Sequence, residues 1–268
     1  MFSCHQTVAP GLHVAFTTTT AGNLAFHVAG RRVGPGEQAL DSADLDAAQQ
    51  ARLQAEVRGR RRALDDAMGV PAGRTEYLEQ IHSAQVVSAR GVGWDDGAPP
   101  ERADARVSST GQDPLAIMVA DCLPVVFVSQ RADGTGDWTG PTAVAHAGRR
   151  GLLDGVLQAT VRRMRSEGAG DRPGQIQAWI GPSICGGCYE VPEQMYQESV
   201  AQLPTVAAQT TWGTRSLDLP AGARQILTDL DVRVHLTGDC TREDERFYSH
   251  RRAPGEGRLA GLVWRSEP

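Results

Sequence analysis

Short apolar runs separated by turn residues predict a chain that is rich in strands. Many of the runs contain valine and isoleucine, and glycine, proline, serine or aspartate lie between them, which is typical of buried strands. The predicted strands cover residues 12–16, 77–81, 86–89, 115–119, 125–128, 143–145, 176–180 and 232–236.

Apolar residues at helical spacing predict helices between these strands. The longest begins in a cap region at Ser42, passes through Asp44 to about Met68, and ends at Gly69 and Pro71. Further helices are predicted at about 152–166, 193–202 and 221–230. This order of elements predicts a mixed α/β (α+β) fold, with one mixed-sheet domain covering residues 1–268.

Three chemically reactive side chains follow or end predicted strands. The strands at 125–128 and 142–145 flank a turn-rich segment, which predicts an antiparallel hairpin that brings Cys122 and His146 to one edge. A third strand, at 76–81, ends just before His82. Two imidazoles and one thiolate suit zinc and leave a fourth position open for catalysis. The sequence therefore predicts a metal site at His82, Cys122 and His146, with copper as an alternative to zinc.

The same three residues also fit other roles. A single histidine at a strand end is usually structural, and a single cysteine after an apolar run is usually a small buried hydrophobic residue. Without a metal, Cys122 could act as a nucleophile with His82 or His146 as its base. Both catalytic hypotheses need the three side chains to be neighbours.

Several longer motifs resemble those of a known family. They are Gln80-Ile81-His82, Ala120-Asp121-Cys122-Leu123-Pro124, His146-Ala147-Gly148-Arg149-Arg150-Gly151, Gly181-Pro182-Ser183-Ile184, Cys188-Tyr189-Glu190-Val191, Asp239-Cys240-Thr241-Arg242 and Phe247-Tyr248-Ser249-His250-Arg251-Arg252. In this order they resemble the laccase-domain, or multicopper polyphenol oxidoreductase-like, proteins, which are regarded mainly as zinc-dependent purine nucleoside phosphorylases. The resemblance implies helices on either side of central sheets, and it implies that His82, Cys122 and His146 bind the catalytic metal.

The resemblance also implies a reaction. A purine nucleoside such as adenosine, inosine or methylthioadenosine would react with phosphate to give the free base and a ribose 1-phosphate, and adenosine deamination is associated with the same site. Arg150, Arg251 and Arg252 are the candidates for holding phosphate, because guanidinium groups match phosphate geometry. Asp121, beside Cys122, is a candidate for proton transfer, although a supporting role is equally compatible with its position.

Two departures from the family pattern bear on substrate binding. The family usually has an arginine near the end of its first strand, whereas residues 16–24 contain none. Arg31 and Arg32 follow shortly and could substitute. Arg149 stands where the family generally has tryptophan, so the stacking surface near the site is expected to differ.

Three other functions remain as alternatives. A hydrolase that edits peptidoglycan precursors, with Cys122 as nucleophile and His82 as base, is the main one. A copper-dependent polyphenol oxidase is less favoured, because most of the seven histidines lie outside His-x-His pairs. A noncatalytic metal-binding protein comes last, because a three-ligand site leaves a position that structural zinc normally fills.

Composition and charge limit the possible partners and the cellular location of the protein. The net charge of −5 and pI near 5.8 give no basic footprint for nucleic acid. No signal segment or stretch long enough to span a bilayer is evident, and five cysteines are too few for a disulfide framework, so we expect a cytoplasmic protein. The pair Cys185 and Cys188 is interpreted as part of a tight turn, because no second Cys-x-x-Cys accompanies it. Oligomeric state is left open.

Overall fold

The computed structural model, which describes residues 1–28, 43 and 45–266, contains both strands and helices, and five consecutive strands separate the first α-helix from the second. Within those ranges the strands are β1 (Phe2–Ala9), β2 (Leu12–Thr17), β3 (Val86–Ser88), β4 (Ala105–Ser108), β5 (Leu115–Val119), β6 (Leu123–Ser129), β7 (Thr142–Ala147), β8 (Ile176–Ile180), β9 (Ala207–Gln209), β10 (Arg215–Leu217), β11 (Arg233–Leu236) and β12 (Leu259–Arg265). The α-helices are α1 (Ala47–Met68), α2 (Arg149–Leu153), α3 (Val156–Ser166), α4 (Glu193–Gln202) and α5 (Leu219–Asp229).

Two sheets form the centre of the molecule. One has the strand order β1-β2-β12-β5 and is antiparallel, and the other is mixed, with the order β11-β8-β6-β7-β4-β3. Alternate residues of their strands meet in one apolar cluster, in which Val14 and Ile117 of the first sheet pack with Val126 and Val144 of the second. The sheets therefore pack face to face.

Helices cover the outer face of each sheet. Val125 and Phe127 point away from the sheet interface into a cluster that includes residues of α3 and α5, while Leu64 and Met68 of α1 pack on the outer face of the first sheet. The order of layers is therefore helix, sheet, sheet, helix, and the mixed α/β fold predicted from the sequence is confirmed.

The first helix ends at Met68 as predicted, but it begins at Ala47, after the predicted cap region at Ser42. Asp46 caps the N-terminus by accepting a hydrogen bond from the Gln49 N–H, and the Gln49 side chain accepts one from the Asp46 N–H. At the other end Gly69 adopts the left-handed conformation, with φ of 68°. The predicted cap region at Ser42 and Asp44 lies outside the described residues, as do Arg31 and Arg32.

Some sequence predictions of elements were wrong. The segment at 77–81 is not a strand, because it forms isolated bridges at Glu76 and Glu79 rather than a continuous ladder. The helix predicted at 152–166 is two helices, separated at Gly155, whose φ of 94° is incompatible with a continuing α-helix. Strands β1, β4, β9, β10 and β12 were not predicted.

The predicted hairpin of β6 and β7 is confirmed. Its antiparallel register pairs Leu123 with Ala147 and Pro124 with His146, so Cys122 lies at the edge where β7 ends. Among the described residues, no helix combines the length and the apolar character needed to cross a bilayer.

Candidate metal centre

His82, Cys122 and His146 lie together at this edge of the mixed sheet. One ligand atom from each residue lies within 4.8 Å of the other two. The Cys122 Sγ is 3.8 Å from the His82 Nε2, and the rings of His82 and His146 meet edge to face with centroids 4.6 Å apart. The structure thus brings together the three residues that the sequence proposed as metal ligands.

The backbone around the three side chains is unusually constrained. His82 has φ of 56°, a left-handed conformation that residues other than glycine rarely adopt. Gly148 follows β7, and a Cβ atom built there would lie 2.8 Å from the His82 Cδ2 and 3.0 Å from the Cys122 Sγ. The close approach of the two side chains therefore requires a glycine at this position.

Asp104 organises two of the three candidate ligands and was missed by the sequence analysis. Its buried carboxylate accepts a hydrogen bond of 2.8 Å from the His146 Nδ1 and one of 2.9 Å from the His82 N–H. The same carboxylate accepts hydrogen bonds from the N–H groups of Ile81 and Ser83 and from the Ser83 hydroxyl. Because Nδ1 of His146 is engaged, its Nε2 is left to bind a metal, which is the arrangement common at zinc histidines.

The electrostatics of the centre favour an ionised cysteine. Burial acts to raise the pKa of Cys122, but His146 and His82 lower it to about 6. Burial acts to lower the pKa of His146, but the charges of Cys122 and Asp104 raise it to about 9. Burial likewise acts to raise the pKa of Asp104, but hydrogen bonds from His146 and Ser83 lower it to about 2. Without a metal, these pKa values make Cys122 and His146 a thiolate–imidazolium pair near pH 7. A divalent metal such as zinc would displace the imidazolium proton, and the donors would then be one thiolate and two imidazoles.

A cleft of about 560 Å³ opens over the three side chains. Its volume is in the range of small-molecule sites. Its lining residues are His27, Leu78, Glu79, Gln80, His82, Met118, Val119, Ala120, Cys122, His146, His250 and Arg258. The cleft thus combines an apolar wall with a few polar groups beside the candidate metal ligands.

Asp121 has a different environment from its neighbour Cys122. Its φ is 83°, and its carboxylate accepts hydrogen bonds of 2.6 Å from the Thr241 hydroxyl and 2.6 Å from the Arg251 N–H. Both donors belong to the segment 241–251, which carries His250. In this structure Asp121 therefore positions that segment of the cleft.

None of the three arginines predicted to hold phosphate is among the described residues that line the cleft. The Arg150 side chain is 71% exposed and lies 3.6 Å from Asp154. The Arg252 guanidinium donates to main-chain carbonyls, including that of Thr241, at 2.7 Å. Arg251 donates to the Glu190 carbonyl. Arg258, which the sequence analysis did not select, lines the cleft instead.

These features define a candidate metal-binding centre in the cleft of a layered α/β protein. The chain belongs to the family described as multi-copper polyphenol oxidoreductase laccase, whose model matches residues 25–266. The resemblance found in the sequence is thereby confirmed.

Relatives of this chain carry a more specific name. A protein from Streptomyces coelicolor named purine nucleoside phosphorylase is 42% identical over 198 residues, which are 74% of this chain and 77% of the relative. The Escherichia coli purine nucleoside phosphorylase YfiH is 37% identical over 192 residues, 70% of this chain and 72% of the relative.

Solved structures agree with the fold. The Neisseria meningitidis protein NMB0706 is 31% identical and covers 99% of both chains with a TM-score of 0.74. YlmD from Geobacillus stearothermophilus has a TM-score of 0.73, with 98% of each chain covered and 24% identity, a likeness that concerns the fold alone.

Proposed function

We propose that the protein is a cytoplasmic purine nucleoside phosphorylase with a zinc site formed by His82, Cys122 and His146. The observation that carries the proposal is the convergence of these three donors in a cleft of about 560 Å³. The names of the relatives support the reaction class. The substrates would be adenosine, inosine or methylthioadenosine together with phosphate.

The proposed reaction breaks one bond and forms another. A phosphate oxygen bonds to the ribose C1′ as the C1′–N9 bond breaks. The base leaves with the bonding electrons and takes up the proton that hydrogen phosphate gives up, which yields the free base and ribose 1-phosphate. A zinc ion at this centre would supply Lewis-acid polarisation of a bound substrate atom. The protein itself has to orient the nucleoside, hold the phosphate and keep the two in line.

We assign phosphate binding to Arg258 rather than to Arg150, because Arg258 lines the cleft and Arg150 does not. His250 lines the same cleft, and burial and the positive charge of Arg258 lower its pKa, so its imidazole is neutral near pH 7. A neutral imidazole can donate one hydrogen bond and accept another. His250 is thus suited to hold a nucleoside hydroxyl or base edge.

The test is a product analysis with adenosine. Purified protein is incubated with adenosine, with and without phosphate, and adenine, inosine and ribose 1-phosphate are separated by chromatography. Phosphate-dependent adenine, absent in a Cys122→Ala variant, supports the proposal. Inosine formed without phosphate would indicate deamination in this cleft. An Arg258→Met variant should raise the KM for phosphate, and the matched variant Arg150→Met should leave it unchanged.

One observation favours the cysteine hydrolase as a second candidate. The pKa of Cys122 is lowered to about 6 by the two imidazoles, which is the activation that a nucleophilic thiol needs. If no nucleoside is converted under any condition, the peptidoglycan-precursor hydrolase becomes the hypothesis to test, with amide substrates and with the metal removed by a chelator.

A further inference from the structure

A second group of metal-capable side chains lies outside the cleft. Cys185, Cys188, Cys240 and Glu243 each place one ligand atom within 4.8 Å of the other three. The Cys188 Sγ is 3.2 Å from a Glu243 carboxylate oxygen, and the Cys185 N–H points at the Cys240 Sγ at 3.5 Å. Ligands around tetrahedral zinc lie about 3.8 Å apart, because zinc–sulfur bonds are about 2.3 Å long. The separations between the four ligand atoms therefore exceed the spacing around a tetrahedral zinc by no more than about 1 Å.

The topology of the mixed sheet brings the two halves of this group together. Strands β8 and β11 are parallel neighbours, and the loops that follow them start at the same edge. Beyond the strands, Ser183 and Cys240 form a parallel bridge, and the Thr241 N–H donates to the Ser183 carbonyl at 3.0 Å. The two loops are thus held in a fixed register.

The spacing within each half is the same. Cys185 and Cys188 are separated by two residues, and so are Cys240 and Glu243. A search for a second Cys-x-x-Cys misses the pair because a glutamate occupies its last position. The interpretation of residues 185–188 as a turn is compatible with metal binding, since the Cys188 N–H donates to the Cys185 carbonyl at 3.0 Å.

The surroundings suit a structural ion rather than a reactive one. Cys188 is 3% exposed and Cys240 is 8% exposed, so both thiols are shielded from water. Three thiolates and one carboxylate fill all four positions of a tetrahedral zinc, and no position is left for a substrate. A disulfide would use two of the cysteines and would leave the third, and Glu243, without a role.

We propose that Cys185, Cys188, Cys240 and Glu243 bind a structural zinc ion that fastens the loop after β8 to the loop after β11. Binding releases the thiol protons to solvent as the zinc–sulfur bonds form. The second loop also carries Thr241, which donates to Asp121 beside Cys122. The ion would therefore stabilise one wall of the cleft without taking part in the reaction.

The test measures metal content in the full-length chain. The protein is stripped with a chelator, reloaded with zinc, freed of excess metal and analysed by elemental mass spectrometry. Cys122→Ala, which disables the centre in the cleft, should still retain about one zinc per chain. The double variant Cys122→Ala with Cys240→Ser should retain none. Cys4→Ser and Glu245→Gln are the matched controls, because neither residue belongs to either group, and both should bind zinc like the wild type.

Cobalt substitution gives a second readout that does not depend on activity. Thiolate-to-cobalt absorption grows with the number of thiolates, so Cys122→Ala should keep most of the wild-type band and Cys240→Ser should lose most of it. If Cys240→Ser does not fold, the metal content of Cys122→Ala decides alone. A Cys122→Ala protein that is folded, reduced and free of zinc overturns the proposal, as does a disulfide within the group in protein purified without reductant. Retention of zinc by Cys122→Ala supports it even if no nucleoside is cleaved.

Discussion

Replacing Asp104 by asparagine tests whether this carboxylate organises the candidate metal centre. Each of its oxygens faces hydrogen-bond donors: the His82 N–H and the His146 Nδ1 on one side, and the Ile81 and Ser83 N–H groups on the other. In Asp104→Asn, one of the two oxygens is replaced by an NH2 group, which cannot accept a hydrogen bond. Because both oxygens accept from N–H groups, the NH2 group faces at least one N–H in either orientation of the amide. At least one buried donor then loses its acceptor.

The cost can be worked out in two ways that agree. A buried donor left without a partner costs about 1–3 kcal/mol. The same hydrogen bonds hold the pKa of Asp104 near 2 instead of 3.8, and at about 1.4 kcal/mol per pH unit this shift also corresponds to about 2 kcal/mol of stabilisation by the ionised form. Because the folded-state pKa is the lower one, this stabilisation is complete above about pH 4 and is lost as the pH falls toward 2. Zinc affinity should also fall by about 10–100-fold, since His146 loses its orienting partner.

Urea unfolding of chelator-treated protein, followed by tryptophan fluorescence, measures the free energy of unfolding. Asp104→Asn should be less stable than the wild type by about 2 kcal/mol near pH 7, and the difference should shrink between pH 4 and pH 2. The zinc affinity of the cleft centre is measured separately by competition with a chromogenic chelator, in proteins that also carry Cys240→Ser, so that the second group does not contribute. Asp137→Asn, at an exposed carboxylate, is the control. Equal stability and equal zinc affinity in Asp104→Asn and wild type would refute the reasoning.

Three further predictions concern single sites. Gly148→Ala should lower zinc affinity at least 10-fold by equilibrium dialysis, because its Cβ would meet the Cys122 Sγ at 3.0 Å; unchanged affinity would mean that the loop yields easily. In metal-free protein, the rate of alkylation of Cys122 by iodoacetamide should rise with pH around a midpoint near 6. Cys4, whose pKa is raised by burial and by a nearby carboxylate, should react only at higher pH. Peptide mass spectrometry distinguishes the two cysteines, and equal midpoints would contradict the lowered pKa of Cys122. Arg106→Met should destabilise the fold by about 3–5 kcal/mol in urea, because it leaves the buried Glu76 carboxylate without its ion partner; a loss below about 1 kcal/mol would show that water reaches this pair.

The sequence predicted most of the longer strands, but it missed β4 and β12, which lie inside the two sheets. The hairpin of β6 and β7 was predictable because two short apolar runs flank a turn-rich segment, and its register brings Cys122 next to His146. The segment before His82 was misread as a strand, because an extended chain that forms isolated bridges has the same apolar pattern as a paired one.

Residues that act through a neighbour were the ones the sequence did not reveal. Asp104 immediately precedes a short buried strand, and nothing in its local pattern shows that its carboxylate reaches two other segments. The residues that follow, Ala105-Arg106-Val107-Ser108, alternate between apolar and polar side chains and do not form an apolar run, so the local sequence carried no signal that this carboxylate is buried. Glu243 was missed because the pairing of Cys185 with Cys240 depends on two strands that neighbour each other only in space.

The position of β12 has a consequence for how the protein acquires its structure. This strand, residues 259–265, lies between β2 and β5, so β2 has no partner on that side until the distant segment arrives. Val14 and Trp264 belong to neighbouring strands although almost the whole described chain separates them in sequence. Contacts between such remote segments slow folding, because a long loop has to close before they form. Folding of the four-stranded sheet therefore has to wait until residues 259–265 have been synthesised, and during that interval the apolar edge of β2 is exposed to chaperones and to aggregation.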